Sequence, residues 1–193
     1  MRKLLSIIGV AAFAALFIVA CSKGAKEDVQ TEVSQEVLNQ IADLGFSSDN
    51  VVAADGGYIV EGDIFLAPGD LTTMKTTHKL IVANEEQYRT TNLVNTPRAI
   101  TVSVSGKVGA SFIQAVDAAI ARYNAENLSL TFSRVASGGT INIKIVNSRQ
   151  YIASAGFPSG GNPYGTINYA KTYTTYSQGF MTTVIAHEIG HCI

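Results

Sequence analysis

The sequence predicts an α+β fold, and three observations carry that expectation. Beyond Pro97, the segments Ile100–Val104, Leu128–Phe132 and Ile141–Ile145 each alternate apolar with polar residues. Apolar positions at period two, many of them β-branched, read as half-buried strands. Between the first two, Phe112, Val116, Ala119 or Ile120, and Tyr123 recur at helical spacing over about four turns. Phe180–Ile193 again has helix-compatible spacing. A Gly/Ser/Pro-rich loop at 153–165 precedes one more strand, Thr166–Tyr169. The expected order is strand, helix, strand, strand, strand, helix.

The N-terminus reads as an export signal. Arg2 and Lys3 give a positive start, and Leu4–Ala20 is an uncharged run of 17 residues. It ends in Ile18-Val19-Ala20-Cys21-Ser22, which resembles the lipobox of bacterial lipoproteins, with Ile18 where leucine is usual. The resemblance implies cleavage before Cys21, with lipid on its sulfur and on the new amino group. An uncleaved anchor would hold the chain in the same compartment. Either way the chain is expected at the membrane, outside the cytoplasm. Ser22, where an inner-membrane retention signal would have aspartate, favours the outer membrane or cell surface.

Between the signal and Pro97 the pattern is less regular. Residues 22–30 are small, polar and charged, as a linker off a lipid anchor would be. Val33, Val37, Ile41 and Leu44 form one stripe of an amphipathic helix, and Gly45 suits its C′ position. Tyr58–Leu66 reads as two short strands around Gly62-Asp63, and residues 68–98 are mixed and polar. The expected organisation is therefore signal peptide 1–20, linker and prosegment 21–97, and a second domain 98–193.

Composition excludes several classes. The 14 Lys plus Arg balance 15 Asp plus Glu for a net charge of −1, so no basic field exists for nucleic acid. With 47% hydrophobic and 15% charged residues, the chain is no disordered polyelectrolyte. Cys21 and Cys192 are too few for a disulfide framework, and Cys192 is expected to face away from the chemistry, as a buried thiol or as half of a disulfide to further sequence.

The chemistry lies in residues 187–191, His-Glu-Ile-Gly-His. On a helix, His187 and His191 project from one face about 5–6 Å apart at Cβ, so both imidazoles reach one tetrahedral zinc ion. Glu188 then sits beside the metal as the base for water attacking a peptide carbonyl. This composition would give roughly 0.002 such motifs by chance.

Residues 116–146, VDAAIARYNAENLSLTFSRVASGGTINIKIV, resemble the first half of a metzincin catalytic domain. The HEIGH spelling, together with the lipobox, resembles the bacterial dual-action HEIGH metallopeptidases. The resemblance spans about residues 98–193. It implies a zincin-like mixed sheet with two helices, the second carrying HEIGH, behind a small pro-region. It also implies zinc on His187 and His191, Glu188 as base, and a protein or peptide substrate. The substrate would lie antiparallel along an edge strand expected at Gly165, Thr166, Ile167, Asn168 and Tyr169. Val60-Glu-Gly-Asp63-Ile resembles the F-x-G-D segment by which astacin-type prosegments place an aspartate on zinc, although Gly62-Asp63 is also an ordinary turn pair. A metzincin's third histidine would fall at position 197, beyond Ile193, so the sequence is expected to be a truncated zinc endopeptidase with little or no activity in these 193 residues. His78, the remaining histidine, reads as exposed. The rival reading is a non-catalytic surface lipoprotein that uses a degenerate zincin fold for binding.

Overall fold

The computed structural model of the chain describes residues 32–77, 81–82, 88–89 and 92–193, so Cys21 and His78 lie outside the described residues. Helix α1 (Gln35–Asp43) starts where Ser34 Oγ accepts from the Val37 N–H at 3.4 Å. It stops at Gly45, whose φ of 95° suits a residue without Cβ. There the Phe46 N–H returns to the Ile41 carbonyl and the Gly45 N–H to Ala42, with Ile41 and Phe46 both buried.

Among the described residues, ten strands and three further α-helices follow: β1 (Val52–Ala54), β2 (Gly57–Val60), β3 (Ile64–Leu66), α2 (Asp70–Thr77), β4 (Ile81–Val82), β5 (Tyr88–Arg89), β6 (Arg98–Ser105), α3 (Ala110–Ala125), β7 (Leu130–Arg134), β8 (Ile141–Val146), β9 (Ala153–Ala155), β10 (Thr166–Ala170) and α4 (Gln178–Cys192). β4 and β5 pair only with each other, and the rest form one sheet in the order β1-β2-β3-β9-β10-β8-β6-β7. β7, β6, β8 and β10 are mutually parallel, β9 is antiparallel to β10, and β3 joins β9 in parallel. The sheet is thus continuous across position 97.

Alternation decides what each strand buries. Ile100, Val102, Phe132, Ile141, Ile143, Ile167 and Tyr169 enter one core with Phe112, Ala115, Val116 and Ala119 of α3 and Met181, Ile185 and Ile189 of α4. The intervening residues build a polar outer face, where Ser103 Oγ donates to Asn142 Oδ1 and Thr101 bonds Thr140. A second cluster, around Ile41, Phe46, Val60, Ile64 and Leu66, holds the N-terminal elements together.

The expected edge strand requires correction. Gly165–Tyr169 does not line an edge, because β10 is hydrogen bonded to β8 on one side and β9 on the other. Its backbone groups are spent on those ladders and cannot take a peptide. β9 is the outermost strand of the C-terminal half, inside the segment expected to be a loop. It is only Ala-Ser-Ala, all three buried, so it offers neither alternation nor β-branching as a signal. Residues 68–98 likewise contain α2, and a 3₁₀ turn (Lys171–Thr175) follows β10.

Candidate metal centre

The site is assembled on α4, which begins where Ser177 Oγ accepts from the Phe180 N–H at 3.3 Å. Met181, Ile185, Ile189 and Cys192 are fully buried and fix the helix's rotation. Tyr123 of α3 donates its hydroxyl to the Ala186 carbonyl at 2.7 Å. A Cβ on Gly190 would lie 3.0 Å from that hydroxyl, so the glycine of the HEIGH sequence lets the two helices approach.

With that face buried, His187 and His191 turn outward together. Their ring centroids are 4.6 Å apart at 90°, and the two Nε2 atoms are 3.0 Å apart. The ring of Phe157, just beyond β9, stands edge-on to His191 at 5.8 Å and stacks on Phe46.

A third donor comes from the β2–β3 hairpin. Asp63 Oδ2 lies 2.9 Å from His187 Nε2 and 3.9 Å from His191 Nε2. The turn is held in an uncommon shape, with Glu61 at φ 54° and Gly62 at φ 92°. Glu61 Oε1 accepts from the Ser47 N–H at 2.6 Å, and the Asp63 carbonyl accepts from the Ala155 N–H at 3.1 Å. Asp63 is therefore pinned to β9 by its backbone and aimed at the imidazoles by its side chain.

The donor set suits a tetrahedral ion. Zinc–nitrogen and zinc–oxygen bonds of about 2.0–2.1 Å separate neighbouring ligands by about 3.3–3.4 Å, and the three observed separations straddle that value. The three ligand atoms all lie within 4.8 Å of one another. Two imidazole nitrogens and a carboxylate oxygen facing one point cannot all be satisfied by one proton, whereas a cation satisfies all three.

The electrostatics agree with the geometry. Burial alone would raise the Asp63 pKa, but hydrogen bonds and positive charge from His187 and His191 outweigh it and bring it down to about 2. The Asp63 bond raises His187 above its ordinary value against an opposing effect of burial. Glu188, 2% exposed, has its pKa pushed well up by burial and then by the Asp63 charge, and its Oε2 has no hydrogen-bond partner. A buried carboxyl oxygen without a partner is costly to keep. Tyr169, on β10, is pushed up to about 12 by burial and the Glu188 charge. Cys192 is free and buried, and supplies no donor to the group.

Of the residues expected from sequence, His187, Glu188, His191 and Asp63 come together, whereas Gly165–Tyr169 does not border them as an edge. Phe157, Tyr123 and Ala155 were not foreseen: each acts through a long-range contact that leaves no local pattern.

Comparison with known proteins places the chain. Two solved structures of myroilysin are similar to it, at 19% and 18% identity with TM-scores of 0.41 and 0.40. They cover 52% and 53% of this chain but 43% and 45% of their own, so the chain spans less than half their length. No curated protein matches. Residues 58–193, from β2 through the HEIGH helix, match the family described as dual-action HEIGH metallo-peptidase, and the chain belongs to that family.

Proposed function

We propose that this chain is a zinc-dependent endopeptidase in a latent arrangement, with His187 and His191 as zinc ligands, Glu188 as general base and Asp63 as a latch. The observation that carries the reading is the convergence of Asp63, His187 and His191 on one point with Glu188 buried behind it. When bound, zinc polarises the peptide carbonyl and lowers the pKa of water. Glu188 accepts the proton of the attacking water and returns it to the leaving amine. Asp63 takes a ligand position otherwise open to water or substrate, so the N-terminal hairpin crowds the site.

The substrate class follows from β9. β3 occupies its outer side, with Ile64 opposite Ala155. Once β3 leaves, an extended peptide adds to β9 through backbone hydrogen bonds, which favours unstructured polypeptides over a defined sequence.

Metal binding is the direct test. The chain is expected to bind one zinc ion, and His187→Ala and His191→Ala should each weaken that binding by at least 100-fold. Isothermal titration with zinc measures it, and unaltered affinity in either variant removes that residue from the ligand set.

Attachment to the membrane belongs to the same proposal. The charged start, the apolar run and Ala20-Cys21 motivate lipid on Cys21 and an extracytoplasmic, outer-membrane or surface location. Among the described residues no helix is long and apolar enough to cross a membrane. Labelled palmitate should enter the wild type and not Cys21→Ser, and equal labelling of both would rule lipidation out.

A further inference from the structure

Asp55 forms the tip of the β1–β2 hairpin, yet its carboxylate is used far from its own strands. Ala54 pairs with Gly57, which leaves Asp55-Gly56 as a two-residue loop with φ of 54° and 81°. Aspartate followed by glycine suits such a turn, so the residue types need no other cause. The partners do. Tyr151 Oη donates to Asp55 Oδ2 at 2.5 Å, and Asn168 Nδ2 donates to the same oxygen at 3.0 Å. Ser154 stands opposite Asn168 in the β9–β10 register and is 1% exposed. Its Oγ has no hydrogen-bond partner and lies within interaction range of the Tyr151 hydroxyl.

Ser154 and Asn168 come from β9 and β10 and Tyr151 from the loop just before β9, while the carboxylate comes from the N-terminal hairpin. Tyr151 is buried, and burial followed by the Asp55 bond and charge pushes its phenol pKa well up, so it remains a donor. Hydrogen bonds to an ionised acceptor are about twice as strong as neutral ones, and a buried Ser154 hydroxyl is a further donor held in reserve. Neutral donors gathered on a carboxylate form a receptor for that group.

We propose that Tyr151, Ser154 and Asn168 form a carboxylate-binding recess on the outer face of β9 and β10: Asp55 fills it in this chain, and with the hairpin displaced it takes the aspartate or glutamate side chain of a peptide. The position supports this ligand, because a peptide added to β9 runs past Ser154 and presents alternate side chains to that face. The peptide ligand rests on the proposed addition of a strand to β9, but the recess shares no residue with the metal centre, so its carboxylate binding is tested apart from zinc.

The test uses the full chain without metal. Asp55→Gly removes the carboxylate and accepts the positive φ without strain. Amide hydrogen exchange over residues 52–60 should become about tenfold faster, the loss of one charge-assisted anchor. N-acetyl-aspartate amide should then shift the Asn168 side-chain amide resonance saturably in Asp55→Gly. It should do so neither in the wild type, where Asp55 occupies the recess, nor in Asp55→Gly combined with Tyr151→Phe. Unchanged exchange, no saturable shift in Asp55→Gly, or an equal shift when Tyr151 is also replaced would each overturn the proposal. Should the glycine variant fail to fold, Tyr151→Phe alone reads the contact from the other side. About tenfold faster exchange over 52–60 supports the recess, and wild-type protection there overturns it.

Discussion

Glu188→Gln is expected to lower kcat for hydrolysis of an unstructured protein by about 10²–10⁴-fold while zinc stays bound. The amide is nearly isosteric with the carboxylate, so the packing that hides residue 188 behind the imidazoles persists. What disappears is the buried carboxyl group proposed to take a proton from water. Because the wild-type side chain is deeply buried and its Oε2 unpartnered, the substitution should not destabilise the chain and can relieve the desolvation of a charge. Zinc content and casein hydrolysis, measured on the same preparations, separate the two effects. Activity within a few-fold of wild type, with zinc retained, would show that the proton goes elsewhere. Loss of zinc together with activity would show instead that Glu188 supports the ligands.

Asp63→Ala is expected to raise the latent hydrolysis of the chain by at least tenfold, because it removes a donor that competes with water and substrate for a ligand position. The β2–β3 hairpin should remain, since Asp63 meets β9 through its backbone carbonyl and not its carboxylate. Equal latent activity in variant and wild type would dismiss the latch. The metal-free chain offers an independent check. Asp63 titrates at about 2 instead of 3.8, so its contribution to stability is complete above about pH 4 and is lost as pH falls through 2. His187 has a raised pKa, so its contribution is complete below its ordinary 6.5 and is lost as pH rises through the raised value. The stability difference between wild type and Asp63→Ala should therefore peak between about pH 4 and 6.5. Solvent screening keeps it to about 1 kcal/mol at this partly exposed pair. Thermal unfolding across pH 3–9 (roughly the accessible range) would measure it.

Three kinds of feature were legible without coordinates. Period-two alternation marked β6, β7 and β8, because one face of each is packed on α3 and α4 while the other carries polar pairs. Helical spacing marked α1, α3 and α4, and the i, i+4 histidines marked the candidate metal face, since α-helical geometry alone brings those side chains together. Gly62-Asp63 was legible as a turn, although a turn pair by itself does not say what its carboxylate meets.

The tertiary structure decided the rest. β9 is three small buried residues, and it is a strand only because β10 and β3 supply partners for its backbone. That pairing moved the edge of the C-terminal half from Gly165–Tyr169 to Ala153–Ala155. It also brings the Asp63 turn to α4: the Ala155 N–H bonds the Asp63 carbonyl, and the carboxylate lies 2.9 Å from His187, 124 residues away in sequence. Asp55, Tyr151 and Asn168 meet in the same manner, across separations of 96 and 113 residues. Local propensity and periodicity are properties of neighbouring residues and can be read along the chain. Which hairpin closes on which strand depends on backbone groups and side chains that meet only after the sheet has formed, and no local pattern encodes that choice.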